Sequence, residues 1–428
     1  MTGGRSSQIR VAYDVLFLAQ FFRHTNAQSG VYRVVEQLLL SLCDRDDVDL
    51  TSVIICGENP LVEVLEALAY LRDNTEPGHC RFDPALSGRL SRRYVDLFGN
   101  GRRRNLRPGE LQQLIMRAVR MLERPHASLK PERYDVFHSP FFPLPDKSLT
   151  GEAQRIQTVY DLIACKRPEW MPDEVNRLVQ KIVSDVDRER DWVVCISEFT
   201  KQEFCEFTGM AAERVFVTPL AAAPHFKPVE DQELIDAVRK KYRIPDHDYL
   251  LSLGALQHRK NFTGLIDAFQ RLLNEQPNTD LHLVIVGEKH WLYEQIFASA
   301  QSLAGFQNRI VFTGFVEDKD LSALYSAAKA FVFVSLYEGF GLPVLEAMQC
   351  GTPVIASNTT ALPEVVGDAG ILVDPCDTES VSAAMLSVLE NERERLELKR
   401  KGLRRASEFS WSLCAEETMK AYRAATQQ

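Results

Sequence analysis

Two carboxylates and two cations carry the sharpest chemical signal in this sequence. The segment Glu338-Gly339-Phe340-Gly341-Leu342-Pro343-Val344-Leu345-Glu346 puts one carboxylate in a glycine-bearing turn and the other in a helix that Pro343 can open. Glycine lets a backbone approach a ligand closely. A helix start offers free N–H groups and the positive end of a dipole to a phosphate. Carboxylates on either side of such a turn suit two separate sets of hydroxyls, such as those of a sugar and a ribose. The plainer reading is a glycine turn with a capping glutamate. The second segment, Leu253-Gly254-Ala255-Leu256-Gln257-His258-Arg259-Lys260-Asn261, sets Arg259 beside Lys260 on a strand-to-helix loop. Arginine chelates a phosphate through its fork while lysine acts as a point charge. Together they can stabilise a diphosphate that gains negative charge as it leaves. Alone, the pair would read as an exposed basic dipeptide; beside the glutamate segment it does not.

The elements that must hold these groups alternate. In the C-terminal half, Tyr249–Leu253, Leu281–Val286, Arg309–Phe312, Ala330–Val334, Pro353–Ala356 and Ile371–Val373 are predicted strands, rich in β-branched or aromatic residues. Between them, Phe262–Leu273, Trp291–Leu303, Asp318–Ala328, Pro343–Cys350 and Thr378–Asn391 are predicted helices, with Asp318 and Thr378 as N-caps. Such alternation predicts a parallel sheet covered on both faces. The N-terminal half repeats it less regularly. Its strands are Ile9–Phe17, Leu50–Cys56, Val136–His138, Ile156–Tyr160, Trp192–Cys195 and Val215–Thr218. Its helices are Val31–Leu42, Leu61–Arg72, Glu110–Glu123, Asp173–Arg190 and Glu198–Phe207, and 74–109 is an excursion from the rhythm. The linker falls near Ala221–Pro228. The division is 1–222, 226–405, and a final helix, 406–428, returning to the first domain.

A length of 428 residues suits two domains. The net charge of −9 argues against a nucleic-acid partner. Nine cysteines without a Cys-x-x-Cys pair predict separate thiols in a reducing cytoplasm. No apolar run is long enough to span a bilayer. Asp44/Asp46 and Asp185/Asp187 lie away from the phosphate loops, so the expectation is that no metal is held. Residues 89–133 carry 12 Lys/Arg against 4 Asp/Glu, with Arg102, Arg103 and Arg104 the densest cluster. This reads either as a solvated face or as a surface for the anionic inner face of a membrane or a diphosphate-linked acceptor.

Glu338 to Glu346 together with Arg259-Lys260-Asn261 resembles glycosyltransferase family four. The segments Ile196–Thr200, Phe312–Val316 and Ala347–Ala356 are similar to that family as well. The resemblance covers most of the chain and is strongest from about 190 to 390. It implies the GT-B fold, two doubly wound α/β domains facing across a cleft, and sugar transfer with retention. It further implies that Glu338 holds donor-sugar hydroxyls and Glu346 the ribose, while Arg259 and Lys260 hold the diphosphate. Backbone amides of Phe340, Gly341 and Leu342 would touch sugar or phosphate, and Phe315 and Val316 the base. Ser197 and Gly30 fall in matching segments and count as donor-binding, although Gly30 reads equally well as the turn before a helix. Two departures stand out. Tyr160 occupies a position where many members carry histidine, which makes Asp161 the candidate acceptor-side carboxylate, with a turn cap as the alternative. Ala255 stands where many carry arginine. Tyr160 itself and His138, at a predicted strand end, complete the acceptor-side candidates.

The expected activity is transfer of a hexose or deoxyhexose, with a lean to mannose, from a nucleoside-diphosphate sugar to a glycan or lipid-linked glycan in cell-surface polysaccharide synthesis. No resident cofactor is expected. The competing readings are a non-catalytic nucleotide-sugar sensor or scaffold, and a sugar-nucleotide epimerase or hydrolase on the same fold.

Overall fold

The computed structural model describes residues 8–21, 30–55, 60–76, 79–83, 133–288, 294–302 and 306–427, with Arg93, Ile115, Ala118, Val119 and Leu129 besides. Of the predicted helix Glu110–Glu123 only Ile115, Ala118 and Val119 are described, all three helical, and the cluster Arg102–Arg104 lies outside the described residues.

Two parallel sheets organise the chain. The first runs β3-β2-β1-β4-β5-β6-β7. Its strands are β1 (Ile9–Asp14), β2 (Val48–Val53), β3 (Arg81–Asp83), β4 (Val136–Ser139), β5 (Gln154–Val159), β6 (Trp192–Cys195) and β7 (Val215–Val217). The second runs β10-β9-β8-β11-β12-β13. It comprises β8 (Tyr249–Leu253), β9 (His282–Val286), β10 (Ile310–Gly314), β11 (Ala330–Phe333), β12 (Val354–Ser357) and β13 (Ile371–Val373). Strand order reverses between β1 and β4 in one sheet and between β8 and β11 in the other. Ligand crevices of doubly wound folds open at such reversals, beyond the carboxyl ends of the strands.

The central strands are buried on both faces, which explains their continuous apolar runs. All five residues of β9, His-Leu-Val-Ile-Val, are buried. The helix Gly30–Cys43 instead buries one stripe: Tyr32, Val34, Val35, Leu38, Leu39 and Leu42. One apolar cluster runs through both sheets, from Val11 and Tyr13 through Phe226 to Tyr249, Val344 and Tyr422. The last helix, Trp411–Thr426, is capped by Ser410 and lies against β6, β7 and the helix Gly30–Cys43. The Tyr422 hydroxyl meets His138 Nδ1 at 2.7 Å, and Arg423 Nη2 meets Asp47 at 2.5 Å.

Several elements differ from the sequence expectation for local reasons. The first strand stops at Asp14, because its Oδ1 accepts from Leu16 N and starts the short helix Leu16–Phe21. Asp377, not Thr378, caps the helix Thr378–Glu390, accepting from the amides of Glu379 and Ser380. The other expected cap, Asp318, is the first helical residue behind Glu317. The helix expected to reach Arg190 ends at Ser184. Part of the 74–109 excursion is the edge strand β3, too short to show alternation. The polar helices Gln232–Lys241 and Glu392–Ala406 had no predicted counterpart. No helix among the described residues is long and apolar enough to cross a membrane.

Candidate functional site

The strand ends of the second sheet carry the expected charged groups into one cluster. After β8 the chain makes a single helical turn, His258–Lys260, and Asn261 anchors it by donating to the carbonyls of Val334 and Pro375 at 3.1 and 2.7 Å. This anchoring turns both cations toward the loop that follows β11. There Lys260 Nζ meets Glu338 Oε1 at 2.5 Å, and Arg259 Nη1 meets Oε2 at 3.1 Å and the Tyr337 carbonyl at 3.3 Å. Lys260 also lies over the Phe333 ring, 4.7 Å from its centroid. Two cations share one carboxylate, so the trio has a net charge of about +1 when all are ionised.

Burial sets the protonation behaviour of the trio. Desolvation pushes the Lys260 ammonium down to about 8, helped by neighbouring Arg259 and opposed by Glu338. Burial pushes Glu338 up, but Lys260 and Arg259 outweigh it and hold the carboxyl below its usual range. Asp161 comes from the other domain, on the loop after β5. Burial raises its carboxyl, Arg259 draws it back, and Glu338 and Glu203 push it up again. Asp161 Oδ1 also accepts from Ile163 N at 3.1 Å, so the turn-forming role considered for it is present alongside its place near the cluster.

The glycines of the turn hold the two domains together. A Cβ on Gly339 would lie 2.2 Å from the Tyr160 carbonyl oxygen and 3.0 Å from Asp161 Cβ. Only glycine admits that approach. Gly341 adopts φ 108° and leads directly into the helix Leu342–Gln349, with Pro343 in its first turn. Thr200 Oγ1 reaches the carbonyls of both Tyr160 and Gly339 at 3.3 Å. Tyr337 donates to Glu203 and receives the amide of Leu162 at 3.3 Å.

On the other side of that helix start lies a cavity of about 290 Å³ between the domains. Its walls include Gly30, Phe315, Val316, Leu342 and Glu346, all expected donor-binding residues, and Gly254, Ala255 and Gly287 at the strand ends. Glu346 is buried, and burial raises its carboxyl despite two partners. Tyr325 donates to Oε2 at 3.0 Å, and Arg33 Nη1 reaches Oε1 at 2.8 Å from the opposite domain. Arg33 Nη2 also holds Asp318 at 2.5 Å, while its Nε is buried without a partner among the described residues.

The sequence missed Arg33, Asp318, Tyr325, Tyr337 and Glu203. A faint signal existed for Arg33, three residues after Gly30 and hence near it on a helix. Three expected residues sit elsewhere. Ser197 is no pocket residue: its hydroxyl caps the helix Glu198–Thr208, accepting from Thr200 N at 3.1 Å. His138 is wholly buried, with Nδ1 at Tyr422 and Nε2 at Thr158, so it anchors the last helix rather than facing an acceptor. Burial drops its imidazolium to about 3, which leaves it neutral. The Tyr160 ring packs on Phe141 and its hydroxyl is buried without a partner among the described residues; its carbonyl, not its hydroxyl, meets the Gly339 turn. Phe340 likewise is buried against Phe409, leaving its backbone as the part near the turn.

Known proteins resemble this chain over most of its length. The family model "Glycosyl transferases group 1" matches residues 235–405. The O-antigen chain mannosyltransferase B of Escherichia coli is 33% identical over 314 residues, covering 73% of this chain and 81% of that one. This chain belongs to glycosyltransferase family four. The serotype-specific mannosyltransferase WbdA of the same organism is 38% identical over 224 residues; the match spans only 27% of that longer protein. The fold is GT-B. Anabaena HepE, solved with UDP and glucose, aligns over 96% of this chain and 99% of its own, with a TM-score of 0.63 at 17% identity. WaaG, a glycosyltransferase involved in lipopolysaccharide biosynthesis, aligns over 95% and 98% with a TM-score of 0.60 at 14% identity.

Proposed function

We propose that this family four enzyme transfers mannose, with retention, from a nucleoside-diphosphate mannose to a hydroxyl of a glycan or lipid-linked glycan in surface polysaccharide synthesis. The observation that carries the reading is the division of labour around one helix start. Glu338, Arg259 and Lys260 stand on one side, and the cavity with Glu346 on the other. A nucleoside fits the cavity, with its ribose diol on Glu346 and its base beside Phe315 and Val316. The diphosphate then lies over the start of the helix Leu342–Gln349, within reach of Arg259 and Lys260. Glu338, released from part of its ion pairing, receives sugar hydroxyls.

In the reaction the bond between the anomeric carbon and the diphosphate oxygen breaks. The acceptor oxygen bonds to that carbon on the same face and passes its proton to the departing diphosphate oxygen. Negative charge grows on the leaving diphosphate, where two fixed cations and the helix dipole stabilise it most in the transition state. These groups supply the charge that a divalent cation would otherwise bring, so turnover is expected to survive chelation. The names of the mannosyltransferase relatives support the choice of sugar and the polysaccharide setting.

The test is a panel of UDP-, GDP-, dTDP- and ADP-sugars, scored for release of nucleoside diphosphate with a glycan acceptor and for product anomer by NMR. A mannosyl product with the donor's anomeric configuration supports the reading. An inverted product, or donor binding with no transfer to any acceptor, refutes it.

A further inference from the structure

Cys43 and Cys80 form the one pair of thiols in contact among the described residues, with their Sγ atoms 3.0 Å apart. Both residues are partly buried against the main apolar cluster. Cys43 closes the helix Gly30–Cys43, and Cys80 lies in the bend directly before β3, which pairs with β2 through Thr51 and Arg81. Of the other described thiols, Cys195, Cys350 and Cys414 are buried, Cys165 and Cys205 half-buried, and Cys376 exposed.

We propose that Cys43 and Cys80 are a site of reversible oxidation, closing to an intramolecular disulfide that ties the helix Gly30–Cys43 to the edge of the first sheet. Contact between the two sulfurs puts them within reach of one another, which most cysteine pairs in a fold are not. The chemistry needs an oxidant, and a low-molecular-weight disulfide such as oxidised glutathione supplies it. The Cys80 thiolate attacks one glutathione sulfur, forms a mixed disulfide and expels one glutathione thiolate. Cys43 then loses its proton and attacks the Cys80 sulfur, forming the Cys43–Cys80 bond and expelling the second. Two protein thiols are oxidised and one glutathione disulfide is reduced. The mirror order, with Cys43 attacking first, closes the same bond, since either thiol can donate to the other across 3.0 Å.

The placement gives the bond a consequence. The helix Gly30–Cys43 is about 20 Å long. Its far end carries Gly30 and Arg33 into the cavity wall. The disulfide therefore pins one end of an element whose other end faces the nucleotide pocket.

The experiment incubates the full chain with oxidised glutathione, quenches in acid, alkylates in denaturant with iodoacetamide and maps peptides by mass spectrometry. The expected result is a linked peptide joining Cys43 to Cys80, two fewer alkylated thiols per chain, and reversal by dithiothreitol. In C43S, checked for folding by circular dichroism, glutathione should remain on Cys80. Alkylation of both cysteines in the oxidised wild type overturns the proposal. So does glutathione that persists on wild-type Cys80 beside an alkylated Cys43.

Discussion

Glu338→Gln should move the alkaline limb of the pH–rate profile towards acid. The residue faces two cations, and Lys260 Nζ is 2.5 Å from its carboxylate. Both side chains are nearly buried, 9% exposed, so the interaction is poorly screened. Two unit charges about 4 Å apart at an effective dielectric constant of about 20 attract by about 4 kcal/mol. At about 1.4 kcal/mol per pH unit, that support is equivalent to about 3 units. Lys260 stands at about 8 with Glu338 in place. Burial and Arg259 already depress it, and the glutamine removes the opposing carboxylate. The sign follows: the ammonium exists below its pKa, so activity that needs it falls as pH rises through that value. For the wild type, kcat/KM should fall through about pH 8, since this ratio reports the free enzyme. In the variant the fall should come about one to three units lower. The assay is initial rate against donor concentration from pH 5 to about 9.5 in constant ionic strength buffers. A limb that stays in place, or moves to higher pH, refutes the claim that Lys260 must be charged.

Three further outcomes are expected. Gly339→Ala should keep both domains folded yet cut kcat about a hundredfold, because its Cβ would meet the Tyr160 carbonyl at 2.2 Å and displace Asp161 from the cluster; circular dichroism with steady-state rates checks this. Arg33→Met should lower unfolding stability by about 2–4 kcal/mol at pH 7, since it strands Glu346 and Asp318 without their cation. Glu346 already titrates high through burial, and higher still without Arg33, so its protonated form favours the native state at low pH. The deficit should therefore shrink as urea melts are repeated towards pH 5, and a constant deficit would count against this pairing. Changing Arg102, Arg103 and Arg104 together to Gln should reduce sedimentation with anionic vesicles about a hundredfold at low salt, if 89–133 is a membrane surface; salt-independent sedimentation of both proteins would leave it a solvated face.

The second domain was legible because its strands are short apolar runs buried on both faces. Tyr249–Leu253 and Ile371–Val373 have the bounds expected of them. Its charged residues were legible because they leave strand ends within a few positions of helix starts. What the sequence hid is longer in range or purely polar. Arg33 meets Glu346 across 313 positions, and no local pattern signals such a contact. Ser197 and His138 carried types that suit a ligand, but the structure spends their hydrogen bonds on a helix cap and on the last helix. The polar helix Glu392–Ala406 offered few apolar positions for a period to appear, burying only Leu398, Gly402 and Ala406.

The central claim is that Arg259 and Lys260 act on charge that develops during transfer. It is tested most directly by measuring nucleoside-diphosphate affinity and single-turnover rate side by side for the wild type and Lys260→Ala. The account expects the rate of sugar transfer to fall by about two to three orders of magnitude while affinity weakens by about tenfold or less. A variant that turns over at the wild-type rate, or whose loss lies wholly in affinity, would contradict it.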